Sequence, residues 1–101
     1  MACSVARGPG QTIVSVVGEV DLSSSPALRR CLLNNGPPGT AIIVDLSEVT
    51  FLDSIGLSVL LAGRKRAQAT GGDLSLRNPR PGVLKVLEIT GLTKVFEIAR
   101  V

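Results

Sequence analysis

The chain has 101 residues, of which 45% are hydrophobic, 19% are charged and only 2% are aromatic. This length supports one hydrophobic core, which valine, leucine and isoleucine must build because aromatic side chains are nearly absent. The net charge of +3 comes from small, scattered groups of arginine and lysine, which argues against nucleic-acid binding. No apolar run approaches the ~20 residues that cross a bilayer, and a secretory signal is lacking. We therefore expect one soluble, intracellular domain.

The two cysteines, Cys3 and Cys31, do not show the spacing of a disulfide framework or of a metal site. One of them lies close to the N-terminus, where a bridge to the rest of the chain is improbable. We therefore expect two free thiols and a reducing, cytosolic setting.

The first half of the chain predicts a strand, a helix and a second strand. The β-branched run before Gly18 predicts a strand that ends near this glycine. Ser24 or Ser25 can cap a helix that is predicted to end at Asn35-Gly36. The continuous apolar run "AIIV" then predicts a central strand that is covered on both faces.

The second half continues the alternation of helices and strands. A helical pattern runs from Ser54 to about Ala69 and stops at Thr70-Gly71-Gly72. The segment "DLSLRN" predicts a short strand, and "GVLKVLEITGL" predicts a helix before the strand-like "KVFEIARV". Strands that alternate with helices indicate right-handed crossovers and a mostly parallel sheet.

Residue types exclude several kinds of chemistry. The absence of histidine removes Ser-His-Asp and Cys-His catalysis and leaves no imidazole for a metal. The glycines match neither the P-loop nor the dinucleotide-binding fingerprint, so no cofactor is indicated. Asp45, Glu48 and Asp53 could form an acid/base pair, but Asp45 and Glu48 are better interpreted as ordinary strand-end and turn acids. We expect no catalytic residue, no metal ligand and no enzyme activity.

An acid and a hydroxyl, Asp53 and Ser54, stand between an apolar strand and an apolar helix. Either side chain can cap the helix. The helix carries two apolar stripes, formed by Leu57, Leu60 and Leu61 and by Ile55, Val59 and Ala62. Only one stripe can fully face a sheet, so the other is predicted to contact a partner or to stay partly exposed. Phosphorylation would add roughly −1.5 to −2 charge here, which makes Ser54 a candidate switch.

Three segments carry a family-like pattern: "GEVDLSSSPALRRCL", "AIIVDLSEVTFLDSIGLSVLLAGRKRA" and "GGDLSLRNPRPGVLKVLEITGLTKVFEI". Together they resemble a bacterial STAS domain, most closely an anti-sigma factor antagonist, from about Thr12 to Ile98. The resemblance implies an α/β fold, with a single STAS domain over residues 1–101, a mostly parallel sheet, an N-terminal strand and helices packed on the sheet. The usual C-terminal helix is expected to be absent, because the sequence ends at Val101, after the last predicted strand.

The resemblance implies that Ser54 is phosphorylated by an anti-sigma factor that is itself a serine kinase of the GHKL ATPase type. A PP2C-type phosphatase is a further implied partner, whereas nucleic acid and membrane are not expected. The implied contacts with the kinase are Glu19 and Asp21 in the loop after the first strand, Asp53 beside the serine, and Gly56 and Leu57 at the start of the helix. Simpler roles stay open, with Asp21 as a turn cap and Leu57 as a core residue. Ile55 replaces the Ser, Thr or Ala of many antagonists, which predicts a difference in kinase access or partner choice.

Three functions compete on this reading. The leading hypothesis is a cytoplasmic partner-switching regulator that binds an anti-sigma factor, frees a sigma factor and is switched off by phosphorylation of Ser54. The second is a STAS scaffold or transporter-regulatory domain without the phosphorylation cycle. The third, from a different class, is a small-ligand-binding or nucleotide-binding α/β domain, which no phosphate-binding motif supports.

Overall fold

Strands and helices alternate along most of the chain in the computed structural model, which describes residues 1–33 and 37–101. The strands are β1 (Ala2–Gly8), β2 (Gln11–Val20), β3 (Ala41–Leu52), β4 (Asp73–Arg77) and β5 (Ile98–Ala99). The helices are α1 (Ser25–Leu33), α2 (Ser54–Ala69) and α3 (Pro81–Ile89), and a short 3₁₀ turn covers Leu92–Lys94. The predicted α/β class is confirmed. No helix in these two ranges is long and apolar enough to cross a membrane.

Within the described ranges, the strands form one five-stranded sheet in which their spatial order equals their order in the chain. β1 pairs antiparallel with β2, and the remaining neighbours pair in parallel. A helix lies on each parallel connection, and right-handed crossovers that all advance in one direction place α1, α2 and α3 on the same face. β3 is the central strand, as predicted.

The hydrophobic core fills the space between the helices and one face of the sheet. Val44 of β3 is fully buried and shares one cluster with Leu28 of α1, Leu60 of α2 and Leu87 of α3. Its neighbour Ile43 points to the other face and is only partly buried. The prediction that this strand is covered on both faces is therefore wrong, because the described helices occupy a single side of the sheet.

A β-bulge extends β2 beyond its predicted end. Gly18 has a φ of 97°, a left-handed value that glycine adopts without steric cost. The register with β3 shifts between Gly18 and Glu19, after which β2 continues to Val20. Glu19 therefore lies inside the strand, and its predicted position in the following loop is wrong.

Two further segments differ from the prediction. β1 is absent from the predicted order, because six of its seven residues are exposed and so produce no alternating apolar pattern. The last strand is reduced to Ile98–Ala99, since a 3₁₀ turn precedes it and Phe96 is buried in the core. α1 begins at Ser25, whereas its predicted end at Asn35-Gly36 lies outside the described residues.

Cys3 of β1 and Cys31 of α1 form a disulfide, with 6.9 Å between their Cα atoms. The prediction of two free thiols is therefore wrong. Cys3 pairs with Val16 of β2, a buried residue of the helix-covered face, and so lies on the side of β1 that meets α1. Spacing along the sequence could not reveal this contact, because it requires β1 to be placed beside β2 first.

An ion pair joins β3 and β4 on the open face of the sheet. Nε of Arg77 lies 2.7 Å from Oδ2 of Asp45, and the N–H of Ser47 donates to Oδ1 of the same carboxylate at 2.9 Å. Burial alone would raise the pKa of Asp45, but the hydrogen bonds from Ser47 and Arg77 and the charge of Arg77 hold it below the ordinary value. The carboxylate serves the sheet. Asp45 and Glu48 nevertheless lie inside β3, so their predicted positions at a strand end and in a turn are wrong, because the strand continues to Leu52.

We expect Asp45→Asn to lower the free energy of unfolding by about 1 kcal/mol at neutral pH. Because the folded-state pKa of Asp45 is lowered, its contribution is present above the ordinary aspartate pKa and is lost as pH falls through the folded-state pKa. Urea unfolding over this acidic range should show the variant and the wild type converging. Asp73→Asn is the matched control, since Asp73 is half exposed and lies 3.6 Å from Arg64. A difference that persisted in acid would contradict this account.

Candidate functional site

The carboxyl ends of β2 and β3 meet where α2 begins. Val20 pairs with Leu52, and the backbone N–H of Asp53 donates to the carbonyl oxygen of Val20 at 3.3 Å. Asp21 and Asp53 therefore each follow directly one of two neighbouring parallel strands. This edge of an open α/β sheet is where binding groups commonly collect, because the connecting loops leave the strands there.

Asp53 is the N-cap of α2. Its Oδ1 accepts hydrogen bonds from the N–H groups of Ile55 and Gly56, each at 3.0 Å, while its own backbone is extended. Two of the N–H groups that a helix leaves without an internal partner are satisfied in this way. The sequence alone did not decide whether Asp53 or Ser54 caps the helix, and in the structure the cap is Asp53.

Ser54 is the first residue of α2 and is exposed. Its carbonyl oxygen accepts a hydrogen bond from the Ser58 hydroxyl at 2.9 Å. Among residues 1–33 and 37–101, no hydrogen bond involves the hydroxyl of Ser54 itself. The hydroxyl is therefore accessible at the end of the sheet and takes no part in holding the helix.

Gly56 and Leu57 lie on the buried face of α2 and not on its outer surface. A Cβ atom at position 56 would stand 2.6 Å from Cδ1 of Leu52 and 2.7 Å from Cγ1 of Val20, so glycine allows α2 to approach the strand ends. Leu57 is 4% exposed and belongs to the core cluster. Leu57 is therefore a core residue, which is the simpler role that the sequence left open, and Gly56 supports the same packing.

Asp21 organises the loop between β2 and α1. Its Oδ1 accepts from the hydroxyl of Ser23 at 2.8 Å and from the N–H of Ser24 at 3.1 Å, and its own N–H donates to Oγ of Ser24 at 2.9 Å. The hydrogen bond from Ser23, followed by those from Ser24, lowers the pKa of Asp21 below its ordinary value. Asp21 thus caps its turn and keeps a charged carboxylate at the end of the sheet where α2 begins.

Glu19 occupies a different face. It pairs with Phe51 in the sheet and is exposed, whereas Val20 and Leu52, one residue further along, are buried under the helices. Because successive side chains of a strand point to opposite faces, Glu19 and Phe51 lie on the open face. The predicted contact residues therefore do not form one surface, because the sheet separates Glu19 from Asp53.

Two exposed apolar side chains lie in the segments that follow β2 and β3. Leu22, directly after Asp21, is 70% exposed, and Ile55, directly after Ser54, is 39% exposed. We call the group Asp21, Leu22, Asp53, Ser54 and Ile55 the carboxyl-edge surface. Leu22 is not among the predicted contact residues, although a large apolar residue within a serine-rich turn is a readable signal.

The two predicted stripes of α2 do not separate as expected. Leu57 and Leu60 of one stripe are buried together with Val59 of the other, while Leu61 and Ile55 are 37% and 39% exposed. The division fails because α2 packs against α1 as well as against the sheet, so its buried face is wider than a single stripe. Ile55 is thus the exposed apolar residue beside the serine.

A cavity of about 560 Å³ opens at the opposite edge of the sheet, where α2 ends and β3 begins. Arg7 and Arg66 line it together with apolar side chains that include Leu32 and Ile42. It shares no residue with the carboxyl-edge surface. In the part of the chain that the structure describes, no group of three or more histidine, cysteine, aspartate or glutamate side chains could hold a metal ion.

The family model described as "Mlab, STAS domain" matches residues 3–98. The chain belongs to the STAS domain family. It is 33% identical over 86 residues to the anti-sigma-B factor antagonist of Bacillus subtilis (strain 168), a match that covers 85% of this chain and 79% of that protein. The predicted resemblance to the anti-sigma factor antagonists is thereby confirmed.

Solved structures agree with this assignment. The crystal structure of an anti-sigma factor antagonist from Mycobacterium paratuberculosis is 32% identical, covers 97% of this chain and 84% of that one, and has a TM-score of 0.83. SpoIIAA in its unphosphorylated form is 23% identical with a TM-score of 0.78, over 97% of this chain and 88% of that one. The phosphorylated form of Bacillus SpoIIAA is 22% identical with a TM-score of 0.70, over 97% of this chain and 91% of that one. These last two likenesses concern the fold.

The division of roles between Asp53 and Ser54 predicts unequal effects on stability. Asp53→Ala should lower the free energy of unfolding by about 0.5–2 kcal/mol, because two N–H groups of α2 lose their acceptor. Ser54→Ala should change it by less than about 0.5 kcal/mol, because the hydroxyl caps nothing. Chemical denaturation of both variants, with Asp53→Asn as a control that keeps a capping oxygen, measures the difference. Equal destabilisation by the two alanine substitutions would assign part of the cap to Ser54.

Proposed function

We propose that the protein is an anti-sigma factor antagonist that binds an anti-sigma factor through the carboxyl-edge surface and so releases a sigma factor. The observation that carries this proposal is the exposed hydroxyl of Ser54, which makes no hydrogen bond among the described residues and stands beside the capping Asp53. The names of the relatives support the class of partner. The protein would act in the cytoplasm, by binding and not by catalysis, and without a cofactor.

The unmodified surface has the composition of a small docking site. Leu22 and Ile55 offer apolar area at the same end of the sheet as the serine, and each buried Å² of such area contributes roughly 25 cal/mol. The neutral hydroxyl of Ser54 can be buried at little cost when the partner supplies one hydrogen bond. Asp21 and Asp53 add negative charge at the rim of this contact.

Phosphorylation of Ser54 would end this binding. In the proposed cycle the anti-sigma factor is a serine kinase of the GHKL ATPase type, whose ATP passes its γ-phosphoryl group to Oγ of Ser54 while the hydroxyl proton and ADP leave. A PP2C-type phosphatase would hydrolyse the ester. SpoIIAA, whose fold the chain shares, is known in a phosphorylated form, which supports a modification of this kind.

The contacts around Ser54 explain why a phosphate there would weaken binding of the partner. Asp53 already occupies the N–H groups of Ile55 and Gly56, so a phosphate on Ser54 finds these donors taken. It would add roughly −1.5 to −2 charge beside two carboxylates, those of Asp53 and Asp21. Burying that charge against a partner costs several kcal/mol unless opposite charges meet it. The fold would survive, and the docked complex would not.

The predicted contact residues take different parts in this proposal. Asp21 and Asp53 would face the anti-sigma factor directly. Gly56 and Leu57 would not touch the partner but would fix the position of α2 by packing against the sheet. Glu19 would be reached only by a partner that extends around the sheet edge to the open face.

We expect incubation with the cognate anti-sigma kinase and ATP to add one phosphate, at Ser54, as located by peptide mass spectrometry. Ser54→Ala should gain none and still bind the partner, and the phosphoprotein should bind about tenfold or more weakly by calorimetry. Ser58→Ala is the matched control, because it removes an exposed hydroxyl one helical turn away and should be labelled like the wild type. Full labelling of Ser54→Ala would refute the site, and unchanged affinity of the phosphoprotein would refute the switch.

The apolar part of the surface is tested by Leu22→Ser. Because Leu22 is 70% exposed, the substitution should leave stability unchanged but weaken binding of the anti-sigma factor by about fivefold or more. Ile89→Ser makes the same chemical change at a side chain that is 75% exposed at the end of α3, and it should bind like the wild type. If calorimetry gave the two variants equal affinities, Leu22 would not belong to the contact surface.

A further inference from the structure

β1 is attached to the protein in an unusual way. Seven residue pairs join it to β2, and within the described ranges its other edge pairs with no strand. Six of its seven residues are exposed, and only Cys3 packs against the core. Side-chain burial therefore contributes little to holding this strand, and Cys3 is the side chain that packs against the core.

Cys3 contacts Cys31 of α1, to which it is bonded. This disulfide ties the edge strand to the helix layer and closes a loop over 28 positions of the sequence. Both cysteines are partly exposed, which gives small thiols and disulfides access from solvent. The bond thus combines two properties: it secures an otherwise weakly held strand, and it can be reached by redox reagents.

We propose that the Cys3–Cys31 disulfide is a reversible redox latch that fixes β1 on α1 and releases it on reduction. This latch lies beyond the proposed antagonist function, from which it takes only the cytoplasmic location. Disulfides in that compartment are usually transient and redox-sensing and seldom permanent.

The latch closes by two exchange steps. A thiolate of one cysteine attacks a low-molecular-weight disulfide such as glutathione disulfide, forms a mixed disulfide and expels one glutathione thiolate. The thiolate of the second cysteine then attacks the protein sulfur of the mixed disulfide and expels the second glutathione. The two protein thiols lose two electrons and two protons, and one glutathione disulfide becomes two glutathione molecules. An excess of the reduced thiol reverses both steps.

Release should be local. With the bond reduced, β1 keeps its backbone ladder with β2 but loses its covalent tie to α1, so the strand opens more often than the rest of the sheet. The central strand β3 carries buried residues from end to end and does not depend on the bond. The amide hydrogens of β1 therefore report on the latch, and those of β3 provide an internal reference.

The test is hydrogen–deuterium exchange with mass spectrometry on the full chain, in glutathione disulfide and in excess reductant. Peptides from β1 should exchange about tenfold or more faster after reduction, whereas peptides from β3 should not change. Cys31→Ser and Cys31→Ala should show the fast β1 exchange in both buffers. Alkylation should label neither thiol of the oxidised protein and both thiols of the reduced protein.

The latch would be overturned by thiols that remain alkylatable in glutathione disulfide, by β1 exchange that is equal in the two buffers, or by a disulfide that persists at every glutathione ratio. Redox-dependent β1 exchange in the Cys31 variants would also contradict it. No anti-sigma factor is present in these measurements, so their outcome is independent of whether Ser54 is a phosphorylation site.

Discussion

One carboxylate fixes the start of α2, and the surface around it depends on that contact. Asp53 accepts hydrogen bonds from the N–H groups of Ile55 and Gly56, and its own N–H donates to the carbonyl oxygen of Val20. The first contact ties the acid to the helix, and the second ties it to the sheet. Because Gly56 carries no side chain, the helix can sit directly on the strand ends. Ser54 is therefore held in place by its neighbours without contributing to the hold.

This separation of positioning from reactivity has a physical consequence for any modification of Ser54. If the serine were itself the cap, a phosphate could engage the free N–H groups of the first turn and change the helix end. Asp53 already fills those positions, so the added charge would be directed outward. A change of charge at constant fold is suited to a protein that switches partners, because it changes the free energy of binding the partner and not the free energy of folding.

Sequence predicted the parts of the fold whose signals are local. The bounds of α2 follow from its apolar spacing and its flanking Asp53 and Gly71-Gly72, and β3 follows from its continuous apolar run. The missed features depend on residues far apart in the chain. β1 has almost no buried side chains of its own, and the Cys3–Cys31 contact requires that strand to be in place. At the site, Asp53 and Ser54 were readable from one segment, whereas the exposure of Leu22 and the burial of Leu57 depend on how the helices pack on the sheet.

The carboxyl-edge surface and the Cys3–Cys31 disulfide are both connected to α1. The loop that Asp21 organises leads directly into this helix, and the N–H of Ser25 donates to the carbonyl oxygen of Asp21 at 3.0 Å. Cys31, near the other end of the same helix, carries the bond to β1. β2, in contrast, is held by β3 and by its buried valines whether or not β1 is latched. Any influence of the redox state on the carboxyl-edge surface would therefore pass through α1, as a change in how firmly this helix holds the loop that presents Asp21 and Leu22.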